Sequence, residues 1–206
     1  MRIIERIRDV YRARGARGLA AFVGTRIAQR RQDLLFEINL PGADPSPAQE
    51  SLAQVVVIDR TNVGRAAMAT IERQVFVNEN GAYRPGLFRE DMLFVALDDA
   101  GRVLTYAFVL FPTWYKRVLG EADSVPMIGN CFTEPNARGR GLYTRMLRTV
   151  TRELARRGHP RAIVSCAPDN LPSVRGIGRA GFRLVRRVET LIVLWRLIVW
   201  RRIDPA

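Results

Sequence analysis

MIGNCFT at 127–133, EPNA at 134–137, RGRG at 138–141 and LYTRMLRTV at 142–150 form the stretch on which the fold turns. The first segment reads as a strand. The last opens a helix over 139–157, with Leu142, Met146, Leu147, Val150 and Leu154 on one inner face. Between them lies a turn built for an anion. Gly139 and Gly141 let the backbone approach a ligand closely and take angles that other residues resist. The first amides of the helix have no intrahelical acceptor, and the helix dipole adds positive potential there. A pyrophosphate fits that position, and Arg138 and Arg140 add charge that only an anion would offset. No Gly-Lys-Ser/Thr follows, so the turn is not a P-loop. A third glycine and a later ribose-binding acid are lacking, so it is not a dinucleotide fingerprint either.

Working outward, the elements alternate. Upstream, 53–59 reads as a strand, 63–77 as a helix and 78–84 as a turn-rich loop. Met92 to Leu97 and Val103 to Phe111 pair as a hairpin across the turn signal DDAG at 98–101. Residues 114–126 read as an irregular loop. Downstream, 161–165 is a strand, 171–179 a short helix, and 182–200 two strands. Ahead of all this, Ile3, Ile4, Ile7, Val10 and Tyr11 mark an amphipathic helix. A second helical pattern runs from Leu19 to Ile27 and ends in Arg30 and Arg31. Phe36, Ile38 and Leu40 alternate as a short strand, and a Pro- and Ser-rich linker follows over 41–49. The expected organisation is therefore a basic extension over 1–49 and one α/β domain over 50–206.

Charge is unevenly placed. The chain has 206 residues and a formal charge of +13, with Lys116 its one lysine. Residues 1–31 carry about +7, residues 32–137 about −6, and residues 138–203 about +13. Cys131 and Cys166 sit in apolar runs without a CxxC partner or nearby histidine, so they read as buried structural thiols and no metal site is expected. His159, in a Gly-His-Pro turn, reads as a loop residue. The N-terminus lacks an apolar signal core, and the apolar run 191–200 is too short to span a bilayer. A cytoplasmic protein is expected. The arginine-rich extension and the tail ending WRR at 200–202 point to an anionic membrane surface, or else to packing within a homodimer.

At 136–141 the sequence resembles the GNAT acetyltransferase superfamily, whose motif Gln/Arg-x-x-Gly-x-Gly/Ala stands here as NARGRG. The first position departs from that pattern and both glycines match it. The second half agrees as well: Asn170 and Ser173, then Gly181 and Phe182, look like the family's Asn-x-x-Ala/Ser helix closing on Gly-Phe. The likeness covers roughly 52–190. It implies an α/β fold with a mixed, mostly antiparallel sheet, splayed between the strands at 127–133 and 161–165, with acyl-coenzyme A in the gap. Main-chain groups near Phe132 and Thr133 would pair with the pantetheine arm. The amides of Arg138, Gly139, Arg140, Gly141, Leu142 and Tyr143 would hold the pyrophosphate, and Asn170 and Ser173 would contact the far side of the arm.

By the same resemblance, attack by the amine is direct, with acetyl-CoA as donor and no metal. The family's usual thiolate acid is a tyrosine five residues before the Gly-Phe phenylalanine. Ile177 occupies that place. A base must still take a proton from the amine. Glu134, at the end of its strand, is the first candidate, ahead of Tyr143, Tyr115, Glu121 and Asp123, and 114–123 is expected to line the acceptor pocket. The expected activity is acetyl transfer to a primary amine of a small molecule or amino sugar, an envelope precursor among them. Long-chain acyl transfer at a membrane comes second and a non-enzymatic basic binding module third. Nucleic acid is not an expected partner, because no helix-turn-helix, zinc finger or RNA-binding aromatic motif is present.

Overall fold

A computed structural model describes residues 15, 28–40, 54–78, 84–193 and 197–206. The strands are β1 (Ala28–Asn39), β2 (Val55–Ile58), β3 (Met92–Leu97), β4 (Val103–Leu110), β5 (Met127–Thr133), β6 (Arg161–Cys166), β7 (Arg183–Val193) and β8 (Leu197–Pro205). They form one sheet in the order β2-β3-β4-β5-β6-β1-β7-β8. Only β5 and β6 pair in parallel; every other neighbour is antiparallel. The helices are α1 (Ala69–Asn78), α2 (Arg84–Leu87), α3 (Trp114–Leu119), α4 (Leu142–Arg156) and α5 (Leu171–Arg179). The mixed, mostly antiparallel sheet expected from the resemblance is the one observed.

Alternation along the strands separates two faces. Met92, Phe94, Ala107, Val109, Leu34 and Phe36 pack against Met146, Leu147, Val150 and Leu154 of α4 and Ile177 of α5. Leu93, Val95, Tyr106 and Phe108 pack on the opposite face against Ile71 and Val75 of α1. Further along that second face, Leu35, Ile163 and Val188 pack with Leu119 of α3. The stripe read at 142–154 is thus the buried face of α4. That helix ends in a Schellman arrangement: Gly158 takes φ 82° and donates to Ala155, and His159 donates to Leu154 at 3.1 Å.

Two readings change. The short strand at Phe36 to Leu40 is twelve residues long, takes in Arg30 and Arg31, and runs between β6 and β7. Leu34, Leu35 and Phe36 are buried in succession, which is the pattern of a strand covered on both faces. The segment 114–126, read as irregular, begins with α3. The Thr113 hydroxyl caps it by accepting from the Tyr115 amide, and Gly120 closes it at φ 76°. The apolar tail 191–200 falls largely within the β7–β8 hairpin, in line with the two strands read over 182–200. The helical pattern at 3–27 lies outside the described residues except Gly15, and so does the linker at 41–49. No helix among the described residues is long and apolar enough to cross a membrane.

Candidate active site

β5 and β6 stay together for only two register pairs, Met127 with Ile163 and Ile128 with Val164. Beyond these they part. The cause is local to β5: Phe108 faces Gly129 and Tyr106 faces Phe132, so Asn130 and Cys131 together oppose Ala107. This extra residue is a β-bulge, and Asn130 holds it with φ 46°, an angle asparagine tolerates better than most residues. The signal was present in the sequence as a Gly-Asn pair inside a strand, and the sequence reading passed over it.

The opening is a cavity of about 610 Å3. Ile128 to Cys131 and Thr133 form one wall and Val164 to Cys166 the other. The turn at 137–141 and the start of α4 close one end, and Asn170, Ser173 and Gly176 of the α5 region close the side. Of the expected residues, Thr133, Arg138, Gly139, Gly141, Leu142, Tyr143, Asn170 and Ser173 line it. Arg140 is exposed and lies outside the lining. Phe132 also lies outside: its ring stacks on Tyr106 at 5.3 Å, on the far face of the sheet. The carbonyls of Phe132 and Thr133 already accept from the Thr105 hydroxyl at 2.7 Å and from Arg138 Nε at 3.1 Å. The part of β5 that faces the gap is therefore Gly129 to Cys131. Arg175 and Arg179, one helical turn apart on α5, also line the cavity. Their i, i+4 spacing was the readable signal, and it was missed.

The turn has the geometry of an anion cradle. Gly139 and Gly141 take φ 79° and 72°, and nothing lies within 4 Å of the Cβ that either lacks. No side chain caps the start of α4, which leaves its first-turn amides to an outside acceptor. At the side wall, the Tyr143 hydroxyl meets the Ser173 hydroxyl at 3.2 Å, and Thr144 donates to the Gly176 carbonyl at 3.2 Å. Asn170 Oδ1 accepts from the Ser173 amide at 3.3 Å and so caps α5. Gly176 permits this approach: a Cβ there would stand 2.5 Å from Tyr143 Cδ1. Burial pushes the Tyr143 hydroxyl far above its ordinary pKa, so it is a neutral phenol.

Several candidate groups are placed differently from expectation. Glu134 does not line the cavity. It leads into the anion turn, at the opposite end of β5 from the junction with β6, and its amide donates to the Leu104 carbonyl. From Gly129 to Glu134 the paired strand β4 runs only from Phe108 to Leu104, about 13 Å, so a base at Glu134 would sit at the end of the cleft that the glycine turn closes. Both Glu121 oxygens are taken, by Arg161 and Arg186 at 2.7 Å each. Ile177 is fully buried in the core beneath α4. The cysteines, expected to be buried and structural, are half-buried and line opposite walls. Burial raises the Cys166 thiol pKa, which keeps it protonated. Tyr115 belongs to α3 on the far face, where its hydroxyl donates to Asp33 at 2.5 Å. No group of His, Cys, Asp and Glu among the described residues could hold a metal ion.

Comparison with known proteins identifies the family and the fold. The profile of the Acetyltransferase (GNAT) family matches residues 65–182. No curated protein matches the chain. Among solved structures, a Drosophila protein superposes with a TM-score of 0.55 at 17% identity, over 91% of this chain and 58% of its own. A GNAT-family structure from Novosphingobium aromaticivorans gives 0.53 at 21% identity, over 79% and 64%. A GCN5-related N-acetyltransferase from Sphaerobacter thermophilus gives 0.53 at 18%, over 86% and 56%. The chain thus spans about six-tenths of the length of the structures it resembles.

Proposed function

Because this chain belongs to the Acetyltransferase (GNAT) family, we propose that it transfers an acyl group from acyl-coenzyme A to a primary amine by direct attack. The observation that carries the donor assignment is the cradle: two left-handed glycines with open space at their missing Cβ positions, ahead of an uncapped helix. The donor supplies an activated thioester. The chain's part is to bind, orient and exclude water. In this reading the amides of Gly139 to Tyr143 hold the pyrophosphate, and Arg138, Arg175 and Arg179 screen its charge. The segment Gly129 to Cys131, which lines the cavity, lies along the pantetheine arm, with Asn170 and Ser173 across from it. The cavity runs from the turn at 137–141 along β5 to Ile128. An arm entering at the turn therefore delivers its end near Ile128 to Asn130. Acetyl is the donor group proposed, and an amine of a small molecule or amino sugar the acceptor.

The decisive test is calorimetric titration of coenzyme A into the wild type and Gly141→Val. The wild type should bind, and the variant should lose binding while keeping its circular dichroism spectrum. Equal affinity in both would remove the cradle assignment. Thiol release from acetyl- and longer acyl-coenzyme A, measured against amino sugars, amino acids and polyamines, then separates acetyl from long-chain transfer.

A further inference from the structure

Between 138 and 183 the only acidic residues are Glu153 and Asp169, against eleven arginines. Glu153 is already held by Arg156 and Arg157 at 2.7 Å each. On α4, Arg145, Arg148 and Arg152 follow one another at i, i+3 and i+7, on the side opposite the buried Met146, Leu147, Val150 and Leu154. On α5, Arg175 and Arg179 are exposed one turn apart. No carboxylate among the described residues pairs with Arg140, Arg145, Arg152, Arg175 or Arg179. Like charges three or four positions apart on a helix repel, and an anionic partner would relieve that repulsion.

The two rows belong to one surface. Tyr143 meets Ser173, Thr144 donates to the Gly176 carbonyl, and Arg148 donates to the Arg179 carbonyl at 2.6 Å. These contacts at successive levels set α4 and α5 side by side, running in the same direction. The surface begins at the glycine turn, where Arg138, Arg175 and Arg179 line the cavity, whereas Arg140, Arg145, Arg148 and Arg152 lie outside its lining. Arg152 is eleven residues beyond Gly141, about 16 Å along α4. The charge therefore continues well past the turn assigned to the pyrophosphate. Leu171, one turn before Arg175 on α5, is 56% exposed and stands as an apolar side chain among the arginines.

We propose that this face docks an acidic carrier protein, whose phosphopantetheine arm brings an acyl group into the cavity as a second donor beside acyl-coenzyme A. The proposal rests on the acyl-transfer reading. Both donors offer what the cavity would hold, a phosphate at the glycine turn and a pantetheine thioester along β5. They differ beyond the phosphate, where coenzyme A ends in a nucleotide and a carrier presents a folded acidic surface. Arginines spread along about 16 Å of helix, with an exposed leucine among them, suit a protein surface better than a nucleotide. Interfaces of that kind set complementary charge around apolar contacts. The transfer step is the same for either donor. The amine nitrogen forms the C–N bond as the C–S bond breaks, and the arm leaves as a thiol carrying the proton that the nitrogen gives up.

The test uses the full chain, with coenzyme A and an acidic acyl carrier protein in its apo and holo forms as probes. Binding is followed by calorimetry. The wild type should bind the holo-carrier, bind the apo form more weakly, and lose affinity for both as salt rises. Arg152→Glu should weaken the holo-carrier about fivefold or more, and Arg145→Glu with Arg152→Glu should weaken it further. Coenzyme A affinity in Arg152→Glu should stay within about threefold, since that residue lies outside the cavity lining. Arg152→Gln carries the test if the charge reversal lowers the melting temperature. No holo-carrier binding to the wild type, or equal binding in every variant, overturns the docking face. So does binding of anionic vesicles or duplex DNA that the variants abolish while the carrier stays unbound, because the face would then serve another polyanion. Coenzyme A reports separately: failure to bind the wild type would sink the acyl-transfer reading, whereas coenzyme A binding without carrier binding would sink the docking face alone.

Discussion

At Gly141 the backbone turns left-handed with open space where a side chain would begin, so the strain of Gly141→Ala is conformational, about 1–2 kcal/mol. The methyl group would also enter the space assigned to the pyrophosphate. Calorimetry should show coenzyme A affinity falling about tenfold or more, with little change in far-UV dichroism. Gly176 carries a different constraint. Its added Cβ would meet the Tyr143 ring, and Gly176→Ala should cost about 1–3 kcal/mol in chemical denaturation by overpacking. Ile177 belongs to the core, so a tyrosine there would be overpacked by a similar amount and would not offer an acid to the cleft. The two cysteines line the cleft, and burial holds Cys166 protonated. Intact-mass spectrometry after incubation with acetyl-coenzyme A should therefore find no acyl adduct on the protein.

Among the elements, β1 has the least expected place. It closes the sheet between β6 and β7, and Leu35 is 0% exposed at its centre. Leu35→Ala should cost about 2–5 kcal/mol in denaturant unfolding, the range for a buried leucine. A loss below about 1 kcal/mol would mean that the strand is not integral to the sheet. The loop after β4 depends on Lys116 instead. The residue is fully buried, and its ammonium donates to the carbonyls of Phe111 and Asp123, tying the start of α3 to the segment that follows it.

Lys116 also sets a pH dependence for the molecule. Burial lowers its pKa from 10.5 to about 8, against the pull of Asp123 and Asp91. Between those values the unfolded chain binds more protons than the folded one, so stability rises with pH. The contribution is complete above 10.5 and lost as pH falls through 8. Relative to Lys116→Met, the wild type should gain stability between pH 8 and 10.5 in matched denaturation curves. The formal charge of +13 and the arginines at the cleft add a second bulk property. Coenzyme A affinity should fall as salt screens them, since exposed charges are screened over about 8 Å at physiological ionic strength.

The strand, glycine turn and helix at 127–156 could be read from the sequence because each follows a local rule: apolar burial on a strand, left-handed glycines, a 3.6-residue stripe. The family followed from the same residues. Local rules stop where a residue's role depends on a distant partner. Asn130 makes a bulge only against Ala107 of β4, and Leu34 to Phe36 are central only because β6 and β7 flank them. Glu134 reads as a base from its place at a strand end, yet the direction of β5 carries it to the glycine-turn end and out of the cavity lining. Asp33 and Thr190 are 157 positions apart in the chain. Antiparallel pairing of β1 with β7 puts both side chains on one face, a relation set by register rather than by spacing in the sequence.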